Sequence, residues 1–234
     1  MSTFTTAPET TNPASTRFFV KDPGSALTHF LGMLMTAGFA HPLFKRTAEY
    51  GGLQNTFSMA VFLLTMFFLY TASTSYHTFD ISKNINRRLK KMDHMMISIM
   101  IAGSYTPVCL IVLKESVGIP MFIAIWSFAL AGIIIKAFWI YCPKWFSSIL
   151  YIAMGWTCVF GFKPLLAILP FQGFMWLLMG GIMYTVGGVI YAIKPKLFHK
   201  MTKNFGNHEV FHLFVLAGSI CHFIFMYNFV AYMK

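Results

Sequence analysis

The sequence predicts an all-α integral membrane protein, a bundle of seven transmembrane helices with the N-terminus in the cytoplasm and the C-terminus outside. Three observations lead there. Apolar runs of about 20 residues, the length of helix that crosses a bilayer, follow one another along the 234-residue chain. Hydrophobic residues make up 57% of it and charged residues only 11%, against roughly 25% charged in a soluble domain. The charge that remains is positive, +11 in total, and sits in the short connections between apolar runs. In a soluble protein such an excess would suggest a nucleic-acid partner. With no basic face outside the loops, nucleic-acid binding is not expected, and the charge reads as the determinant of membrane orientation.

Residues 1–24, rich in Thr, Ser and Pro, read as a polar tail ahead of a single domain over 25–234. The tail shows no basic stretch followed by an apolar core, so no cleaved signal peptide is expected and the first span serves as the insertion signal. The predicted spans are Ser25–Phe44, Thr56–Thr78, Met92–Leu113, Val117–Phe138, Phe146–Leu169, Phe174–Ile193 and His208–Tyr232. Only Lys114-Glu115-Ser116 separates the third from the fourth, which predicts a tight hairpin. Pro107 and Pro164 fall inside spans and predict kinks. Gly180, Gly181, Gly187 and Gly188 predict close approach of a neighbouring helix. Cys109, Cys142, Cys158 and Cys221 form no C-x-x-C pair and read as packing residues.

Orientation follows from the cations. Arg17, Lys21, Lys83, Arg87, Arg88, Lys90, Lys91, Lys136, Lys144, Lys194, Lys196, Lys200 and Lys203 fall on one side, thirteen against the five of Lys45, Arg46, Lys114, Lys163 and Lys234. The richer side belongs in the cytoplasm, and the protein in the cell membrane as a multi-pass protein.

The chemistry concentrates at the start of the last span, in His208-Glu209-Val210-Phe211-His212. Two histidines four residues apart share a helix face and make a two-point claw for a divalent metal, most often Zn²⁺. His77 ends the second span and Asp93 opens the third, so three helices bring ionisable groups to the cytoplasmic level. Polar groups placed at a membrane boundary in this way are expected to be functional. Three histidines with one open position describe a catalytic zinc site. Asp93 is then the candidate general base or water-holding group, and Ser73, one turn from His77, a candidate for orienting a ligand. His29 is a supporting candidate. His94 turns about 100° away from Asp93. His222, about 15 Å beyond His212, reads as a helix-packing residue, and His41 and His199 as loop-proximal residues of no special role. The claw also spells H-E-x-x-H, the metalloprotease signature with Glu209 as base, so an intramembrane metalloprotease is an alternative. It leaves the matched depth of His77 and Asp93 unexplained.

With these residues in place the sequence resembles the bacterial hemolysin III group within the progestin and adipoQ receptor (PAQR) family. The matching stretches are Ser25-Ala26-Leu27-Thr28-His29, Ser73 with His77, Asp93 followed by Ala102-Gly103-Ser104-Tyr105-Thr106-Pro107, and His208 with His212. The resemblance implies that His77, His208 and His212 are zinc ligands and that Ser73 and Asp93 are the accompanying polar pair. It implies a zinc-dependent hydrolase acting on amides of membrane lipids, as related membrane hydrolases act on ceramide, in the service of membrane homeostasis. The alternative it implies is a pore-forming cytolysin, the activity for which bacterial members are named, and it is compatible with a non-catalytic sensor in which zinc is structural. The spans are apolar away from the cytoplasmic cluster, which disfavours a wide pore. The expected partner is membrane lipid; the oligomeric state is not set by the sequence.

Overall fold

The computed structural model describes residues 19–198, 201–202 and 205–233. His199, Arg17, Lys200, Lys203, Lys234 and residues 1–18 of the expected tail therefore lie outside the described residues. Among the described residues the chain is helical throughout, with α1 Pro23–Tyr50, α2 Leu53–Thr78, α3 Lys83–Pro107, α4 Ile119–Phe138, α5 Lys144–Gly155, α6 Phe162–Ile168, α7 Phe171–Ile193 and α8 Asn207–Asn228. A 3₁₀ turn, Trp156–Gly161, joins α5 to α6, so the eight segments make seven rods.

Six of these rods are long and apolar enough to cross a membrane: Leu53–Thr78, Lys83–Lys114, Ser116–Phe138, Lys144–Ile168, Phe171–Ile193 and Asn207–Tyr232. Helix α1 has the length, at 28 residues, but His29, His41 and Pro42 interrupt its apolar run. The expected first span thus forms as a helix that is less apolar than the other six.

Two prolines alter the backbone where kinks are expected. Pro107 ends the regular α3 pattern; Val108–Gly118 continues with π-type hydrogen bonding, and the chain breaks at Lys114, whose φ is 49°. A proline has no N–H for the carbonyl four residues back, and the widened turn accommodates that loss. The break falls within the expected Lys114-Glu115-Ser116 hairpin. Pro164 lies in α6, just past the 3₁₀ turn.

Helix α3 is the centre of the bundle. Of its apolar stretch 72% is buried, against 17% for both Lys144–Ile168 and Phe171–Ile193, whose outward faces carry large exposed apolar side chains such as Phe160 and Phe171. In a membrane those faces meet lipid. The closest packing runs between α7 and α8, α1 and α2, and α2 and α3, with α8 returning against α1. The ring is therefore closed by its first and last helices. Arg46 of α1 marks the closure at one end: its guanidinium lies 3.6 Å over the Tyr227 ring and donates to the Tyr227 carbonyl at 3.1 Å.

One expected loop cation is elsewhere. Lys136 is fully buried at the end of α4, where Nζ donates to Ser147 Oγ at 2.5 Å and Cys142 Sγ at 3.0 Å. Cys109, Cys142 and Cys221 are buried free thiols and Cys158 is half-buried. Of the four expected close-approach glycines, Gly180, Gly187 and Gly188 meet neighbouring side chains, whereas Gly181 faces open space.

A close helix approach is at Gly103 of α3, where a Cβ would stand 2.0 Å from Thr65 Oγ1 of α2. Overpacking of that kind costs roughly 1–3 kcal/mol. Gly103→Ala is expected to lower the thermal unfolding midpoint in detergent, and Thr65→Gly in the same protein to restore much of it.

Candidate metal centre

The end of the bundle where α1 and α8 begin and α2 ends is built around three imidazoles. His77, His208 and His212 each offer a nitrogen, and these atoms all lie within 4.8 Å of one another. His77 and His212 are each 2% exposed. The Nε2 atoms of His77 and His208 are 3.3 Å apart. Two nitrogens on one tetrahedral zinc, with bonds of about 2.0–2.1 Å, stand about 3.3 Å apart, so the pair fits one edge of such a site. Four residues of α8 bring His208 and His212 to the same face, and α2 ends with His77 facing them.

The other sides of two rings are held. His77 Nδ1 is 3.0 Å from Asp22 Oδ2, and as an N–H donating to a carboxylate it leaves the Nε2 lone pair free. His212 Nδ1 is 3.2 Å from Thr28 Oγ1. The Thr28 hydroxyl donates to backbone carbonyls of Gly24 and Ser25, which leaves its oxygen to accept from His212 Nδ1–H and frees Nε2 again. Outer partners of this kind orient metal-binding histidines. His29 stacks on His212 with ring centroids 3.6 Å apart.

Asp22 was not anticipated. It stands in the stretch read as a tail, directly before Pro23, where an aspartate reads as a helix cap. It caps no N–H of α1. Instead residues 21–22 clamp the end of α2, where Tyr76, His77 and Thr78 have carbonyls with no partner inside the helix. Lys21 Nζ takes the Tyr76 carbonyl at 3.2 Å, Asp22 N that of His77 at 2.8 Å, and Lys21 N that of Thr78 at 3.2 Å. The hydrogen bond from His77 holds the Asp22 carboxyl below the usual carboxylate range, helped by the nearby charges of His77 and Lys21 and opposed by partial burial. Thr28, Ser25 and His29 belong to the Ser25–His29 stretch picked out in the sequence, but the roles of Ser25 and Thr28 had no local signal, because their partners lie 184 residues away.

Ser73 is buried one turn from His77, and its Oγ has no hydrogen-bond partner. Asp93 is 8% exposed and lies outside the three-histidine group. It lines a cavity of about 160 Å³ whose wall also includes His29, His208 and His212. His94 does not turn away from it: Nδ1 reaches back to 3.3 Å from Asp93 Oδ2, while 3.0 Å from the Lys90 carbonyl. From the histidines the cavity extends along α3 and α7, past Ile97, Met100 and Ile101 to Val108 and Phe174.

Glu209 is occupied elsewhere. Its Oε2 accepts from Gly206 N at 2.9 Å and its Oε1 from Ser25 Oγ at 2.5 Å. It closes the first turn of α8 in the manner of a capping box and ties that turn to α1. Both oxygens of the H-E-x-x-H glutamate are engaged in structure.

The residues fit a divalent metal: three imidazoles present lone pairs to one point, and orphaned Ser73 Oγ lies a turn from one of them. Fold and site define a multi-pass helical membrane protein with a buried three-histidine cluster, able to hold a metal ion, at one end of its bundle. The chain belongs to the haemolysin-III related family, whose model matches residues 18–223. It is 35% identical over 207 residues to the "Hemolysin-3 homolog" of Bacillus subtilis (strain 168), covering 88% of this chain and 93% of that protein. It is 33% identical over 208 residues to "Hemolysin-3" of Bacillus cereus, covering 89% and 91%. A more distant likeness, 21% over 237 residues, joins 86% of the chain to 49% of the "Adiponectin receptor protein" of Drosophila melanogaster.

The engagement of Glu209 has a measurable consequence. Glu209→Gln is expected to leave folding unchanged, since the amide oxygen accepts from Gly206 N–H and the amide nitrogen donates to the Ser25 hydroxyl. Glu209→Ala should lower stability by about 1 kcal/mol, read as a shift of the unfolding midpoint.

Proposed function

We propose that the protein is a zinc-dependent hydrolase of amide bonds in membrane lipids, working at the cytoplasmic side of a seven-span bundle in the cell membrane. The observation that carries this reading is the placement of His208, His212 and Asp93 on one long, largely apolar cavity, with His77 completing the cluster behind its wall. A lipid has one polar scissile group and one long chain. The cavity offers a polar end for the first and an apolar sleeve for the second.

His77, His208 and His212 would hold the ion. When bound, zinc supplies Lewis acidity toward an amide carbonyl. Asp93, on the cavity wall, accepts a proton from an attacking water and returns it to the leaving amine, and His94 holds the carboxylate in place. Ser73, with no protein partner, donates a hydrogen bond at the histidine cluster. Asp22 and Thr28 fix the His77 and His212 rings, and His29 packs flat against the latter. The apolar wall excludes water beyond the polar end, which strengthens electrostatic contacts there.

Two alternatives are less well supported. A protease of the H-E-x-x-H kind needs a free glutamate, and Glu209 has none of its oxygens to spare. A wide water-filled pore needs a polar stripe along several helices, and the cavity wall is apolar over most of its length. The cytoplasmic placement is supported by the cations that gather at the histidine end, among them Lys21, Lys90 and Lys144.

Three outcomes test the reading. Purified protein should carry about one zinc per chain, and Asp22→Asn should weaken zinc binding roughly 10- to 100-fold while Asp93→Asn retains it. Asp93→Asn should abolish hydrolysis of an N-acyl amide in detergent micelles with zinc still present; full activity in that variant would sink the assignment. A C-terminal reporter should be active only outside the cytoplasm, and a cytoplasmic signal would overturn the topology.

A further inference from the structure

The deep part of the cavity contains a polar group that the hydrolase does not use. His222 of α8 lies about 15 Å along the helix from His212 and is 8% exposed. It lines the same cavity. Neither ring nitrogen makes a hydrogen bond. An imidazole buried without a partner is unfavourable in the middle of a membrane protein.

The surroundings are shaped around this ring. A Cβ on Gly180 of α7 would stand 2.0 Å from His222 Cδ2 and 2.4 Å from Nε2, so only glycine there admits the imidazole. Tyr184 meets its face edge-on, with centroids 5.2 Å apart. The Tyr184 hydroxyl is itself satisfied by Ser219 at 2.9 Å, and Ser219 also accepts from Tyr70 at 2.6 Å, so neither hydroxyl is left for His222. Among the described residues, the other unpartnered buried side chains on the cavity wall are His29, His208 and Ser148. His208 belongs to the metal cluster, His29 stacks on His212 of that cluster, and Ser148 lies near the start of α5, at that same end. His222 is alone in the deep half.

We infer that His222 is a specificity-determining residue that hydrogen-bonds a hydroxyl group in the interior of a bound acyl chain. The inference rests on the acyl-lipid reading of the cavity. Some 15 Å of rise corresponds to roughly twelve bonds of an extended chain, at the ~1.2 Å per bond that an extended backbone spans. The cavity continues past His222 to Phe174, six residues before Gly180 on α7, or about 9 Å further. The polar group it fits is therefore mid-chain and not terminal. An unsubstituted chain would leave the imidazole without a partner, whereas a hydroxyl can donate to one nitrogen or accept from the other.

The test is binding, measured on the full-length zinc-loaded protein in detergent by displacement of a fluorescent acyl probe. The competitors are octadecanoate, 12-hydroxyoctadecanoate and 2-hydroxyoctadecanoate. Wild-type protein should bind the 12-hydroxy chain roughly two- to tenfold more tightly than octadecanoate, the range one hydrogen bond supplies. The 2-hydroxy isomer should show no gain that depends on His222. His222→Leu should bind octadecanoate as well as wild type and lose the preference. If that variant fails to retain zinc or octadecanoate, His222→Phe, which keeps a ring in the Gly180 niche, takes its place with the same expectation. Equal binding of octadecanoate and the 12-hydroxy chain by wild type would mean that water satisfies His222 and would overturn the inference alone. So would a preference that survives in the variant. Failure of every chain to bind would overturn the acyl-lipid reading of the cavity and this inference with it.

Discussion

The structure depends on placing three imidazoles in a membrane-buried cluster and giving partners to the outer nitrogens of two of them. Imidazole nitrogens taken out of water must find partners or a cation. Asp22 and Thr28 take the Nδ1 atoms of His77 and His212, which directs both Nε2 lone pairs toward one point. The partners come from the first helix and the residues just before it, the rings from α2 and α8. That requirement explains why the ring of helices closes with α1 wedged between α2 and α8 at this end. It also explains why residues 21–22, outside any apolar span, are held by backbone hydrogen bonds to the last carbonyls of α2. A metal at the cluster would add a cross-link between α2 and α8, making its binding free energy part of the stability of the fold.

Much of this was legible in the sequence, for reasons tied to period and reach. Apolar runs identify spans because a lipid-facing helix has no polar face to hide. The four-residue spacing of His208 and His212 identifies a claw because helical neighbours are fixed by local geometry. Asp93 could be placed at the right level by counting residues from the end of its span. What failed did so where a side chain reaches across the fold. Asp22 meets a partner 55 residues away and Thr28 one 184 away, and nothing near either residue reports that distance. His94 was misjudged from its Cα direction alone; its ring is long enough to swing back to Asp93. Lys136 was counted with the loops because it ends an apolar run, yet Ser147 and Cys142 draw it inside. Helix α1 is the converse case: among the polar residues that make it less apolar than the other rods, Thr28 and His29 face the histidine cluster.

The H-E-x-x-H spelling shows how one pattern can have two physical causes. In a metalloprotease the glutamate is spaced to reach the metal-side water. Here the same position is N3 of α8, the place from which a glutamate reaches back to the N-terminal backbone. Gly206, with no side chain, leaves that N–H to Glu209, and Ser25 takes the other oxygen. The glutamate therefore anchors the turn that carries His208, and its effect on any metal is to position a ligand.

The cavity completes the chain from sequence to chemistry. Its wall along α3 includes Ile97, Met100, Ile101, Ser104 and Tyr105, residues that repeat every one to three positions along one face and that in a soluble protein would pack against a neighbouring helix. In this bundle α3 is the central helix, yet part of its face remains open to an internal space. Open apolar space inside a membrane protein is filled most readily by something with the chemistry of lipid, since hydrocarbon gains as much by contact there as in the bilayer. On the proposed hydrolase reading, a polar end with histidines and a carboxylate would select molecules that combine a chain with a polar group. The closed ring of helices, the held imidazoles and the open face of α3 thus act together: the first two build the three-histidine end, and the third leaves an apolar space running away from it.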